Sequence, residues 1–85
     1  MENKFYKVTT IEELELVQNF LISEGYKTPT GQLITFEELK RCFPRNKIYV
    51  INAFYNSITK RHEYMCGTTQ IYRTYGYEKI KFETI

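Results

Sequence analysis

The sequence contains no tryptophan and no aspartate, and only four glycines. These glycines never approach the spacing of a P-loop or of a dinucleotide-binding motif, which excludes nucleotide enzymes of those types. No apolar run approaches the roughly 18 to 20 residues that span a bilayer. Met1 to Lys4 lead into no apolar signal segment. We therefore expect a soluble, cytoplasmic protein with no membrane partner.

Cysteine and histidine are also scarce, since the chain has two cysteines and one histidine. In a chain without a secretory signal, Cys42 and Cys66 are predicted to be reduced thiols rather than a disulfide framework. His62 and Cys66 lie four residues apart in a predicted strand, which separates them by roughly 13 Å. That distance is too long for one zinc ion or for a nucleophile and its base. We expect a surface His62, a packed Cys66, no metal and no cofactor.

The acidic residues predict helix capping rather than catalysis. All ten are glutamates, and five of them fall near predicted helix starts, where a carboxylate stabilises the helix dipole. A glycosidase-like pair would have to be drawn from these same residues. Since no other motif specifies an activity, we predict that the protein is not an enzyme.

The length of 85 residues predicts one small domain that spans residues 1–85. Two segments carry helix signals. Thr10 and Glu13 have the spacing of a capping box, and an apolar stripe follows over residues 11–24. Thr35 begins a shorter helix that Pro44 ends. One long and one short helix are therefore expected.

Alternating or continuous apolar residues, rich in Ile, Val and aromatics, predict the strands. Asn56 to Lys60 form a polar connection of hairpin length between two of them. The chain order predicts an α+β fold, in which a small antiparallel sheet of about four strands carries both helices on one face. The predicted strands are 4–9, 47–55, 63–73 and 77–85.

Three stretches of the sequence resemble a known group of proteins. They are Phe-Tyr-Lys-Val-Thr-Thr at 5–10, the helix segment 12–21 that leads to Gly25-Tyr26, and Tyr-Glu-Lys-Ile-Lys-Phe at 77–82. Together they resemble small accessory proteins of bacteriophages and prophages of Gram-positive hosts. The resemblance implies a viral product in the host cytoplasm that counters host defence by binding a host protein or a nucleotide signal. It implies no particular site residues.

Charge is distributed unevenly along the chain. Residues 1–39 hold seven Glu and three Lys, whereas residues 40–85 hold nine Lys or Arg and three Glu. Six of the eight tyrosines also lie in the second, basic part. Basic and aromatic side chains in one region favour a ligand that has both phosphates and a base.

The main hypothesis is therefore stoichiometric capture of a small nucleotide signal. Three arginines are predicted to neutralise its phosphates and three tyrosines to stack on its base. Because a chain of this size encloses little volume, we also predict a homo-oligomer. The proposed ligand-binding residues are Arg45, Arg61, Arg73, Tyr64, Tyr72 and Tyr75.

Other interpretations of the same residues stay open. Tyrosines also favour strands, and scattered Lys and Arg keep a sheet surface soluble. One alternative function is an inhibitor that binds a host defence protein through an aromatic sheet face or through the acidic first helix. A small nucleic-acid-binding module is the least favoured, because the net charge is only +2 and the acidic helix would repel phosphates.

Overall fold

The computed structural model describes residues 3–42, 49–66 and 80–85. The strands form an antiparallel sheet in the order β1-β2-β3. This arrangement confirms the α+β class. Neither described helix is long and apolar enough to cross a membrane. In chain order the elements are β1 (Lys4–Val8), α1 (Ile11–Ser23), α2 (Phe36–Cys42), β2 (Tyr49–Asn56) and β3 (Arg61–Cys66).

A fourth strand is not among the described elements. Of the predicted strand 77–85, residues 80–85 are described, and they make one parallel bridge, between Phe82 and Phe5. The Glu83 N–H donates to the Phe5 carbonyl at 2.7 Å. Ile80 is buried and Lys81 is exposed, which agrees with the predicted alternation. Within residues 80–85, the contact with the sheet is thus parallel to β1, at its outer edge.

Both helices pack on one face of the sheet, as predicted. The register places Tyr6 opposite Ile51 and Ala53 opposite Tyr64. Because strand side chains alternate between faces, these four share one face. They form a single core with the buried helix residues Leu14, Val17, Leu21 and Leu39.

Helix α1 has a defined signal at each end. The Thr10 hydroxyl accepts a hydrogen bond from the Glu13 N–H at 3.1 Å, as the capping spacing predicts. At the other end Gly25 has φ +91°, a left-handed conformation that favours glycine. The Tyr26 N–H donates back to the Leu21 carbonyl at 2.9 Å, which completes a Schellman motif.

This C-terminal turn directs the chain to the free edge of β3. The Lys27 N–H donates to the His62 carbonyl at 3.0 Å, and the Tyr64 N–H donates to the Lys27 carbonyl at 3.0 Å. Lys27 and Glu63 therefore form a parallel bridge outside the named strands. Pairing of this kind protects an otherwise exposed strand edge.

The side chain of Gln18 joins three parts of the fold. Its Nε2 donates to the Ile34 carbonyl at 2.9 Å, and its Oε1 accepts from the Ile34 N–H at 2.9 Å. The same Oε1 accepts from the Tyr64 hydroxyl at 2.8 Å. Gln18 is buried, so water does not replace these bonds.

We expect Gln18→Ala to lower the free energy of unfolding by about 2 to 4 kcal/mol, because it leaves buried polar groups of two other residues unsatisfied. Tyr64→Phe, which removes one of the bonds, should cost about 1 kcal/mol. Denaturant unfolding measures both. Asn19→Ala, an exposed change on the same helix, is the control. Equal losses for Gln18→Ala and Asn19→Ala would contradict the role assigned to Gln18.

The β2–β3 hairpin turn is held by its own side chains. The Asn56 Oδ1 accepts from the Ile58 N–H at 2.9 Å, and its Nδ2 donates to the Glu63 Oε1 at 2.9 Å. Lys60 closes the turn with φ 58°, which costs energy in any residue with a side chain.

Replacing Lys60 by glycine should therefore raise the free energy of unfolding, by about 0.5 to 1 kcal/mol. Ser57→Gly, in the same turn but at a residue with negative φ, should have no stabilising effect. Thermal and denaturant unfolding of both variants test this difference, and a stabilised Ser57→Gly would disprove it.

Candidate functional site

Two of the six predicted ligand-binding residues lie in the described part of the chain, and they do not converge. Alternation along β3 places Arg61 and Tyr64 on opposite faces of the sheet. Tyr64 is 1% exposed and its hydroxyl donates to Gln18. Its ring packs in the core, which does not favour stacking of a base on it. The other four residues lie outside the described ranges and stay predictions: Arg45, Arg73, Tyr72 and Tyr75.

Arg61 already has an acidic partner. Its Nη2 lies 3.4 Å from the Oε2 of Glu63, a carboxylate that is 1% exposed. The same oxygen accepts a hydrogen bond from the Thr59 hydroxyl at 3.1 Å. A phosphate at Arg61 would compete with this buried carboxylate. Arg61 therefore compensates a charge inside the hairpin.

Aromatic rings meet at the other face of the hairpin. The His62 ring lies 5.2 Å from the Tyr26 ring and 5.2 Å from the Tyr55 ring, both measured between centroids and both edge to face. Tyr55 lies opposite His62 in the β2–β3 register. The bridge at Lys27 brings Tyr26 to the same place. His62 is exposed and Cys66 packs against the core, as predicted.

A polar cleft of about 240 Å³ opens beside this aromatic cluster. Strand β1, the end of α1 and strand β3 each contribute to its walls. Lys4 and Glu24 are the groups of opposite charge at its surface. We call it the His62 cleft, and its lining residues are Lys4, Tyr6, Phe20, Glu24, Tyr26 and His62.

Tyr6 forms part of the wall of the His62 cleft. The residue is 4% exposed. Burial raises the pKa of the phenol, and the Glu83 carboxylate raises it further. The hydroxyl therefore keeps its proton at neutral pH. A protonated phenol can donate a hydrogen bond to a ligand oxygen.

The cleft could not be predicted from the sequence, because its residues come from distant parts of the chain. Lys4, Tyr6 and Tyr26 lie in the acidic part, whereas the predicted ligand-binding residues lie in the basic part. The one available signal was the Gly25-Tyr26 pair, because a C-terminal glycine redirects the chain after a helix. That signal shows where the chain turns and gives no information about which strand it then meets.

The His62 cleft can donate hydrogen bonds to an anion and offer ring edges and faces to a flat group. Across residues 3–42, 49–66 and 80–85, no group of three or more His, Cys, Asp or Glu side chains is placed to hold a metal ion. No family model, no curated protein and no solved structure matches the chain.

Proposed function

We propose that the chain is a non-enzymatic binding protein that captures a small nucleotide in the His62 cleft. The observation that carries the proposal is the lining of this cleft, in which Tyr6 and Lys4 lie beside the rings of Tyr26 and His62. The donors are the hydroxyl of Tyr6 and the ammonium group of Lys4. Both groups donate to phosphate oxygens. The rings of Tyr26 and His62 provide a surface on which a base packs.

The size of the His62 cleft is relevant to whether the chain forms a homo-oligomer. Its volume of about 240 Å³ lies below the roughly 300 to 1,000 Å³ that is typical of sites for drug-sized ligands. We propose that a second copy of the chain covers the exposed part of the nucleotide. Stoichiometric capture of a signalling nucleotide in the host cytoplasm would serve the anti-defence role that the phage resemblance implies.

Variants of the cleft should change nucleotide affinity in opposite directions. Lys4→Ala should weaken binding about tenfold and Tyr6→Phe about fivefold, since each removes one donor to phosphate. Glu24→Gln should strengthen binding about two- to fivefold, because it removes the charge that repels an anion. Titration calorimetry with a panel of cyclic and ADP-ribose-type nucleotides measures these changes, after native mass spectrometry has shown which nucleotide is retained.

Lys7→Ala is the matched control, because it removes the same charge from the opposite face of β1. Equal weakening by Lys4→Ala and Lys7→Ala would indicate general electrostatic attraction and contradict the site. Retention of no nucleotide from the panel would contradict nucleotide capture. Binding of a single-stranded oligonucleotide that weakens steeply with salt would favour the nucleic-acid alternative.

A specific observation favours a second candidate function, inhibition of a host defence protein by direct contact. The outer surface of α1 exposes three large aliphatic side chains, Ile11 at 53%, Leu16 at 58% and Ile22 at 46%. Glu12 and Glu15 are exposed on the same helix. The matching partner surface would be an apolar groove rimmed by Lys or Arg.

For this second function, the double variant Leu16→Ser and Ile22→Ser should lose a host partner that the wild-type chain retains. Both side chains are about half exposed, so the fold should lose little stability. Quantitative pull-down against host lysate identifies the partner, and titration of the purified partner measures a loss of about tenfold or more. Ser57→Gly, an exposed change in the hairpin turn away from α1, is the control. Unchanged affinity of the double variant would rule out this surface.

A further inference from the structure

Two cysteines that are distant in the sequence meet in the fold. Cys42 ends α2 and Cys66 ends β3, 24 positions apart. Their Sγ atoms lie 2.7 Å apart, in contact as thiol donor and acceptor. Both side chains are half-buried. The sequence predicted two separate reduced thiols and gave no indication of this pairing.

We propose that Cys42 and Cys66 form a redox modification site, in which the two thiols become a reversible intramolecular disulfide by exchange with a small-molecule disulfide. The present separation is about 0.7 Å longer than an S–S bond of roughly 2.04 Å. Only a small displacement of two side chains is therefore needed. The site is independent of the His62 cleft, which contains neither cysteine.

The elements that carry the two sulfurs are anchored in the same core. Leu39, one turn before Cys42, is fully buried, and Tyr64, two residues before Cys66, is nearly so. Cys66 lies opposite Ile51, another fully buried residue. Because both backbones are fixed, the two thiols stay at a high effective concentration relative to each other.

The intramolecular disulfide forms in two thiol–disulfide displacement steps. A thiolate of one cysteine attacks the external disulfide, forms a mixed disulfide and releases one small thiol. The second cysteine then attacks the protein sulfur of the mixed disulfide and releases the other small thiol. The protons of the two protein thiols are taken up by the two leaving thiolates. The protein loses two electrons, which the external disulfide gains.

The local chemistry favours the oxidised state once it has formed. Burial, as the largest cause, and the contact with Cys42 together raise the pKa of the Cys66 thiol to about 12. A disulfide whose reduced form is not stabilised as a Cys66 thiolate lacks one feature that makes some protein disulfides strongly oxidising. The same high pKa makes Cys66 a poor attacking group at neutral pH.

Oxidation would also change the resistance of the chain to unfolding. The new bond would close a loop that contains β2 and most of β3, and so join the end of α2 to the sheet. Restricting the unfolded chain in this way should raise the Tm by roughly 10 °C or more. The increase should disappear on reduction.

To test this, the native 85-residue chain is equilibrated with graded ratios of oxidised to reduced glutathione. The samples are then quenched with acid and alkylated, and the intact mass is measured. We expect wild-type protein to lose the mass of two hydrogen atoms and both alkylation sites together. Cys42→Ser and Cys66→Ser, each with one thiol, should form only mixed disulfides and show no increase in Tm.

A parallel series in denaturant is the internal control. The native chain should form the bond at a lower proportion of oxidised glutathione than the denatured chain, because the fold holds the thiols together. A native chain that keeps both thiols while the denatured chain oxidises would overturn the proposal. So would a native chain that accumulates only mixed disulfides or disulfides between chains.

Discussion

The hydrogen bonds of one buried amide, that of Gln18, hold the helix layer to the sheet. The side chain satisfies both backbone groups of Ile34 and the hydroxyl of Tyr64. A buried amide that makes all these bonds fixes the positions of the joined segments relative to one another. It does so more narrowly than apolar packing does, because hydrogen bonds are directional. The segment between Gly25 and Ile34 is thereby held against β3. Both the Lys27 bridge and the His62 cleft depend on that placement.

Each of the two outer edges of the described sheet pairs with a short segment of the chain. Lys27 pairs with the edge of β3 and Phe82 with the edge of β1, each through a parallel bridge. Short pairings of this kind satisfy edge backbone groups without extending the sheet, which limits pairing with other chains. The β3 pairing also determines function in our proposal, since it brings Tyr26 beside His62.

Local signals explain why the helices could be predicted from the sequence. Thr10 and the glycine at position 25 mark the ends of α1, and both act within one or two turns of chain. Residues that act through register could not be predicted in the same way. Tyr64 was assigned to a ligand because tyrosine suits both a core and a binding surface, and its face depends on where β3 pairs. The approach of Cys42 to Cys66 likewise results from packing between distant elements.

The buried carboxylate of Glu63 favours the native register of β3 during folding. It lies beneath the hairpin turn with Asn56 and Thr59 as hydrogen-bond donors. A slip of β3 by one residue would turn this carboxylate toward Leu21 and Leu39 and turn Tyr64 away from them. Burying an unpaired charge there would cost several kcal/mol. Glu63 therefore disfavours any pairing of β3 that places the Glu63 carboxylate on the face of the sheet covered by the helices.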